Sequence, residues 1–211
     1  MKTAMIWGAA GGIGQALVDE LVAQHWNVVA ISRHDELMSD KATHSIYADV
    51  SDAFSVQRAT QAAAFEVTGV DLWAYTAGDI IVSPVGEMKP DAWNRILSAN
   101  LTGAYLAMHY SLPLLAPEAH IFFVGAISDR LRLPGFSAYA AGKAGIEAFA
   151  ESLRKEHRGR RVTTVRPSAV ATAFWEKVPL NMPNGAVPAS KIAAKMMAAY
   201  DERHTGVLDL A

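Results

Sequence analysis

Tyr139 and Lys143 stand four residues apart in the stretch Ser137-Ala138-Tyr139-Ala140-Ala141-Gly142-Lys143. In a helix that spacing puts both side chains on one face, one turn apart. A neighbouring ammonium favours the phenolate, so Tyr139 is expected to titrate below the usual ~10 and to act as a general acid or base near neutral pH. The same pair also arises by chance in many helices, so its meaning depends on what the chain places around it. A second stretch, Gly8-Ala9-Ala10-Gly11-Gly12-Ile13-Gly14, follows a short apolar run and precedes a helical pattern. Glycines there allow a sharp turn and a close approach of backbone to a pyrophosphate. The N–H groups at the helix start then meet the negative charge. The spacing is G-x3-G-x-G rather than G-x-G-x-x-G. A Gly-rich loop without ligand is the alternative, and the strand and helix on either side speak against it.

The elements that must hold these residues alternate along the chain. Apolar runs predict strands at 3–7, 27–32, 45–48, 70–76, 119–125, 161–166 and 206–210. Amphipathic stretches predict helices at 13–25, 52–66, 91–115, 137–157 and 189–202. Such alternation means βαβ units and an α/β fold with a parallel sheet, whose buried strands read as near-continuous apolar runs. Residues 33–44 and 174–188 are expected to be surface loops. The 211 residues suit one domain, 1–211, carrying nucleotide and catalytic sites together. With 51% apolar and 19% charged residues and no cysteine, disulfides, thiolate metal sites and redox thiols are excluded. A net charge of -2 gives no electrostatic footprint for nucleic acid or an anionic membrane. No apolar run reaches the ~20 residues of a membrane span. The N-terminus lacks the marks of a signal peptide, so a cytoplasmic location is expected. The seven histidines show no metal-ligand spacing.

Six motifs in register resemble the short-chain dehydrogenase/reductase family: Gly8-x3-Gly12-Ile13-Gly14, Asp49-Val50, Thr76-Ala77-Gly78, Asn100, Tyr139-x3-Lys143 and Pro167-x2-Val170-x-Thr172. The resemblance implies a Rossmann-type, doubly wound parallel sheet of about seven strands with flanking helices, and NAD(P)(H)-dependent carbonyl/alcohol chemistry. Gly8, Gly11, Gly12, Ile13 and Gly14 would receive the pyrophosphate, with Ala77 and Gly78 beside the cofactor. Asp49, followed by Val50, matches the residue that hydrogen-bonds the adenine amine; a helix N-cap role is its alternative. Arg33 follows strand two, where an acid would favour NAD. A cation there, with the Ser32 hydroxyl beside it, favours NADP(H) through the 2′-phosphate. Pro167, Val170 and Thr172 match the segment that holds the nicotinamide carboxamide. On the cofactor side two residues depart from the pattern: Trp7 where a threonine usually precedes the first glycine, and Thr76 where an asparagine is usual.

In the family's mechanism Tyr139 exchanges a proton with the substrate oxygen. Lys143 binds the nicotinamide ribose and lowers the tyrosine pKa, and Asn100 distorts its helix and holds a water on the lysine. The family serine falls on Ala126, thirteen residues before the tyrosine, and Ser128 is the candidate substitute. Losing such a donor costs ~10²–10³ in rate. Phe174 and Trp175 fall where a substrate-covering loop lies. The pocket is then expected to take a small carbonyl or to be closed by a partner subunit. Asp79 reads as a loop residue. The main expectation is an NADP(H)-dependent oxidoreductase; an NADP(H)-sensing binding protein and an epimerase or dehydratase are alternatives. The family's four-helix interface implies a homodimer or homotetramer built on helices 91–115 and 137–157, with the small residues Ala138, Ala141, Gly142, Gly145 and Ala148 on the second.

Overall fold

The computed structural model describes residues 1–34, 41–127, 131 and 133–210. Its strands are β1 (Thr3–Trp7), β2 (Asn27–Ser32), β3 (His44–Tyr47), β4 (Val70–Tyr75), β5 (Leu115–Val124), β6 (Arg161–Pro167), β7 (Val170–Ala171), β8 (Val187–Pro188) and β9 (Gly206–Leu210). Its helices are α1 (Gly12–Ala23), α2 (Ala53–Glu66), α3 (Pro90–Leu97), α4 (Gly103–Ser111), α5 (Ser137–Glu156) and α6 (Ala189–Asp201). Seven strands make one parallel sheet in the order β3-β2-β1-β4-β5-β6-β9. The expected Rossmann-type, doubly wound sheet is therefore present.

Period-two alternation sorts the apolar runs onto two faces. Met5, Trp7, Val29, Ile31, Trp73, Tyr75, Ile121 and Phe123 meet α2, α4 and α5. Ala4, Ile6, Val28, Ala30, Leu72, Ala74 and Phe122 meet α1 and α6. A strand buried on both faces has no polar side, which is why these runs carry no alternation of their own. Phe123 is fully buried and packs edge-on against Trp73 and Phe149; its replacement by Ala would cost about 3–5 kcal/mol. His120 is buried and hydrogen-bonds the Thr163 hydroxyl at 2.8 Å. Burial, helped by the Arg161 charge, pushes its pKa down to about 3, so it stays neutral in the core.

The sheet order reverses between β2-β1 and β4-β5. At such a switch point the carboxyl ends of neighbouring strands open a crevice that binds ligands. Gly8, Thr76 to Gly78, Gly125 and Ala126 follow β1, β4 and β5 at that edge.

The structure corrects the single helix expected at 91–115. It is α3, a π-helical segment at Ser98–Thr102, α4 and a 3₁₀ turn at Leu112–Leu114, after which β5 starts at Leu115. The π segment inserts one residue into the turn. The Tyr75 hydroxyl, buried under it, donates to the Ala99 carbonyl at 2.8 Å. The stretch 174–188 is not wholly irregular, because a 3₁₀ turn (Ala173–Lys177) and the small β7–β8 sheet fall on or beside it. The small residues of α5 are partly spent inside the chain. A Cβ on Gly142 would stand 2.9 Å from Asn100 Cβ, and one on Gly145 2.7 Å from Leu101 Cδ2. Ala141 and Ala148 stay exposed.

Candidate active site

The glycine turn packs too tightly to admit side chains at Gly8 and Gly14. Gly8 has φ +85°, and a Cβ there would run into the backbone nitrogen of Ala77. A Cβ on Gly14 would strike the Gly8 carbonyl oxygen. The Thr76 hydroxyl lies 2.9 Å from the Trp7 carbonyl oxygen and 3.1 Å from that of Gly8. The two departures from the family pattern thus complement each other. The Trp7 indole is buried in the core, and the hydroxyl that braces the turn comes from Thr76 on the neighbouring strand. Gly11 precedes α1 in extended conformation, so the N–H groups of Gly12, Ile13 and Gly14 lack intrahelical acceptors and carry the positive end of the helix dipole. Gly11 and Gly12 are exposed there. The Thr172 methyl lies directly over Gly12, where any Cβ would strike it, and its hydroxyl accepts the Phe174 N–H at 3.4 Å.

At the far end of β2, Ser32 is buried and accepts the His34 N–H at 3.2 Å. The Arg33 guanidinium is half exposed and sits 3.7 Å from the Asp49 carboxylate. Burial would raise the Asp49 pKa, but the Ser51 hydroxyl and N–H and the Arg33 charge hold it below the usual range. Val50 packs on the core beside Gly103. The structure brings Ser32, Arg33 and Asp49 to one corner.

Tyr139, Lys143 and Asn100 form a buried cluster. Asn100 Nδ2 donates to the carbonyls of Asp79 (2.7 Å) and Ile96 (2.9 Å), while its Oδ1 is buried with no partner among the described residues. A Cβ on Gly78 would stand 2.8 Å from that Oδ1 and 3.7 Å from Lys143 Nζ. Gly78 is therefore the gap that keeps the two polar groups facing one small space. Lys143 Nζ donates to the Val124 carbonyl at 2.8 Å. Burial pulls its pKa down to about 8, against the opposing pull of Glu147. Tyr139 departs from expectation: burial pushes its phenol up, not down. The Lys143 ammonium is 5.6 Å from the ring centroid, and its hydrogen bond goes to Val124.

Ala126 is buried at the end of β5, so the position of the family serine holds no donor. Ser128 lies outside the described residues. The wall beside Tyr139 is apolar: Ile80, Ile96, Phe136 and Val178 pack with it, and the Phe174 ring lies 5.6 Å from the tyrosine ring. Trp175 stands edge-on to Phe174 and anchors its indole N–H to the Val170 carbonyl at 2.8 Å. Pro167 ends β6 and pairs with Leu210. Sequence reasoning missed Asp79. Its carboxylate is only 7% exposed and takes Arg95 and Lys177 on its two oxygens. These partners sit at no motif spacing, so nothing local in the sequence marks them.

The group the crevice would hold is a dinucleotide, and the residues fit it. Exposed Gly11 and Gly12 leave the N–H groups at the start of α1 reachable, and an amide oxygen without a partner among the described residues faces the Gly78 gap. Comparison with known proteins agrees. Residues 2–183 match the family model for the short chain dehydrogenases. The chain is 30% identical to 3beta-hydroxysteroid dehydrogenase 1 of Eggerthella lenta, over 93% of this chain and 78% of that one. An alcohol dehydrogenase from the archaeon Thermococcus sibiricus, solved with 5-hydroxy-NADP, superposes with a TM-score of 0.88 at 22% identity, covering 100% of this chain and 96% of that one. A 3-ketoacyl-(acyl-carrier-protein) reductase from Brucella melitensis, solved with NADH, gives 0.87 at 21% identity, over 99% and 95%.

Proposed function

The chain belongs to the short-chain dehydrogenase family, an oxidoreductase fold that binds a nicotinamide cofactor, and on that premise we propose that it is an NADP(H)-dependent reductase of a small carbonyl compound. The observation that carries the reading is the meeting of Lys143 Nζ and Asn100 Oδ1 at the Gly78 gap, with the Tyr139 ring centroid 5.6 Å from that ammonium, at the strand ends where a dinucleotide would lie. When bound, the nicotinamide supplies or accepts the hydride. The chain does the rest. Gly8, Gly11, Gly12, Ile13 and Gly14 receive the pyrophosphate, and Val170 and Thr172 hold the carboxamide end. Arg33, with Ser32, meets the 2′-phosphate of NADP, and Asp49 takes the adenine. Lys143 binds the ribose.

Tyr139 donates its proton to the carbonyl oxygen as negative charge develops there. In the cofactor-free chain burial raises the phenol's pKa, so the proton that Tyr139 would donate is in place at neutral pH. Lys143, with a pKa near 8, is poised to return the proton, and Asn100 holds the water that links it to solvent. With alanine at 126, polarisation of the carbonyl falls on Tyr139, and the rate is low for the family by up to ~10²–10³. Tyr139→Phe tests the reading: turnover of a carbonyl panel with NADPH should vanish while NADPH binding stays intact. A variant that reduces the same substrate at the parent rate overturns the mechanism.

Ala126 also favours a second reading, a protein that binds NADP(H) and acts through a partner. Tight cofactor binding with no turnover across a broad panel selects it. Assembly as a homodimer or homotetramer through α4 and α5, where Tyr105, His109 and Phe149 stack on the outer side, belongs to the same proposal. Light scattering that finds only a monomer removes it.

A further inference from the structure

Asp79 joins three parts of the site. Its backbone carbonyl accepts Asn100 Nδ2 at 2.7 Å. Its Oδ2 takes Arg95 of α3 through Nε at 2.9 Å and Nη2 at 2.6 Å. Its Oδ1 takes Lys177 Nζ at 2.9 Å. Lys177 ends the 3₁₀ turn whose second residue, Phe174, lies against Tyr139. The start of that turn is fastened by Thr172 and by the Trp175 indole. Its end is fastened by the apolar burial of Val178 and by the Lys177 ion pair.

The two cations are not equivalent. Arg95 makes a two-nitrogen contact from a helix of the body, whereas Lys177 makes a single contact from a turn. When Lys177 lets go, Arg95 still compensates the enclosed carboxylate, so no bare buried charge is left. The released ammonium, half exposed already, regains water. The arrangement can therefore open at one end without disturbing Asn100. Resting on the reductase reading for what it admits, we propose that Asp79 is a positioning residue whose ion pair with Lys177 latches the 173–177 turn shut over Tyr139, and that a substrate enters by breaking that pair while Arg95 holds Asp79 in place.

The test uses Lys177→Met, Lys177→Arg and Arg95→Met in the full chain. Amide hydrogen exchange of residues 174–178 is read in the free protein, and KM and kcat are read with NADPH and a carbonyl substrate. Lys177→Met should exchange about five- to tenfold faster there, as expected for loss of one charge-assisted contact. KM should fall by a similar factor, because entry no longer has to break the pair, with kcat changed less than twofold, and Lys177→Arg should restore both. Arg95→Met should leave exchange of the turn at the parent level. Parental exchange in Lys177→Met, or equal effects of Lys177→Met and Arg95→Met, overturns the latch. The exchange experiment needs no turnover, so failure of the reductase reading and failure of the latch are told apart.

Discussion

The nucleotide side of the crevice and the substrate side are built from different materials. On the nucleotide side the shape is backbone: Gly8 and Gly14 pack so closely on neighbouring atoms that a Cβ would clash, Gly12 lies under the Thr172 methyl, and Thr76 braces the turn. On the substrate side the shape is side chain: Phe174, Trp175, Phe136 and Ile80 form an apolar wall tied down by one enclosed carboxylate. Backbone shape cannot be retuned by small substitutions. Side-chain shape can, which is how one fold keeps its cofactor while its substrates change.

The largest effect should break the nucleotide side. Gly8→Ala must place a side chain at positive φ and against the Ala77 backbone. It should abolish NADPH binding, read by fluorescence titration, and lower Tm; a variant that binds like the parent contradicts a backbone-built site. Next comes Lys143→Met, at the junction of the two sides. Burial lowers the lysine pKa from 10.5 to about 8. Each pKa unit is about 1.4 kcal/mol, so the buried ammonium costs the cofactor-free fold roughly 3 kcal/mol at neutral pH. The sign follows from proton counting. Between about 8 and 10.5 the unfolded chain holds more protons than the folded one. The cost is therefore complete below pH 8 and fades as pH rises toward 10.5. Lys143→Met should lose activity yet unfold at higher denaturant at pH 7, with the advantage shrinking at alkaline pH.

Arg33→Ala should weaken NADPH about tenfold or more and leave NADH nearly unchanged, because only the 2′-phosphate meets the guanidinium. Equal losses for both cofactors would move Arg33 out of the discriminating role. The smallest effect should come from the substrate side. Ala126→Ser offers the donor missing at the end of β5 and should raise kcat severalfold with KM little changed, well short of the ~10²–10³ that a positioned donor can contribute. Unchanged kcat would show that Ala126 is not the weak point.

Legibility followed the same division. The glycine turn could be read because backbone geometry is written in residue type at fixed spacing. The Tyr139–Lys143 pair could be read because a helix converts spacing into proximity. The parallel sheet followed from alternating elements, and its doubly wound form from the family resemblance. Asp79 could not be read, since its partner Lys177 lies 98 positions away and any acid beside a glycine looks like a loop residue. The high Tyr139 pKa was also hidden. The sequence shows a lysine one turn away, but not that its hydrogen bond goes to Val124 or that Phe174 covers the ring. The break in the expected long helix needed Tyr75, on a distant strand, to satisfy the Ala99 carbonyl.

The Gly78 gap also constrains how this sequence can drift. With Asn100 Oδ1 and Lys143 Nζ bordering the space a Cβ would take, alanine at 78 must push the Asn100 amide aside. Shortening Asn100 first would open the way, so the two positions are epistatic. In a mutational scan Gly78→Ala should be better tolerated in an Asn100→Ala background than in the parent. Lineages that lose the asparagine should then lose the glycine more readily than lineages that keep it.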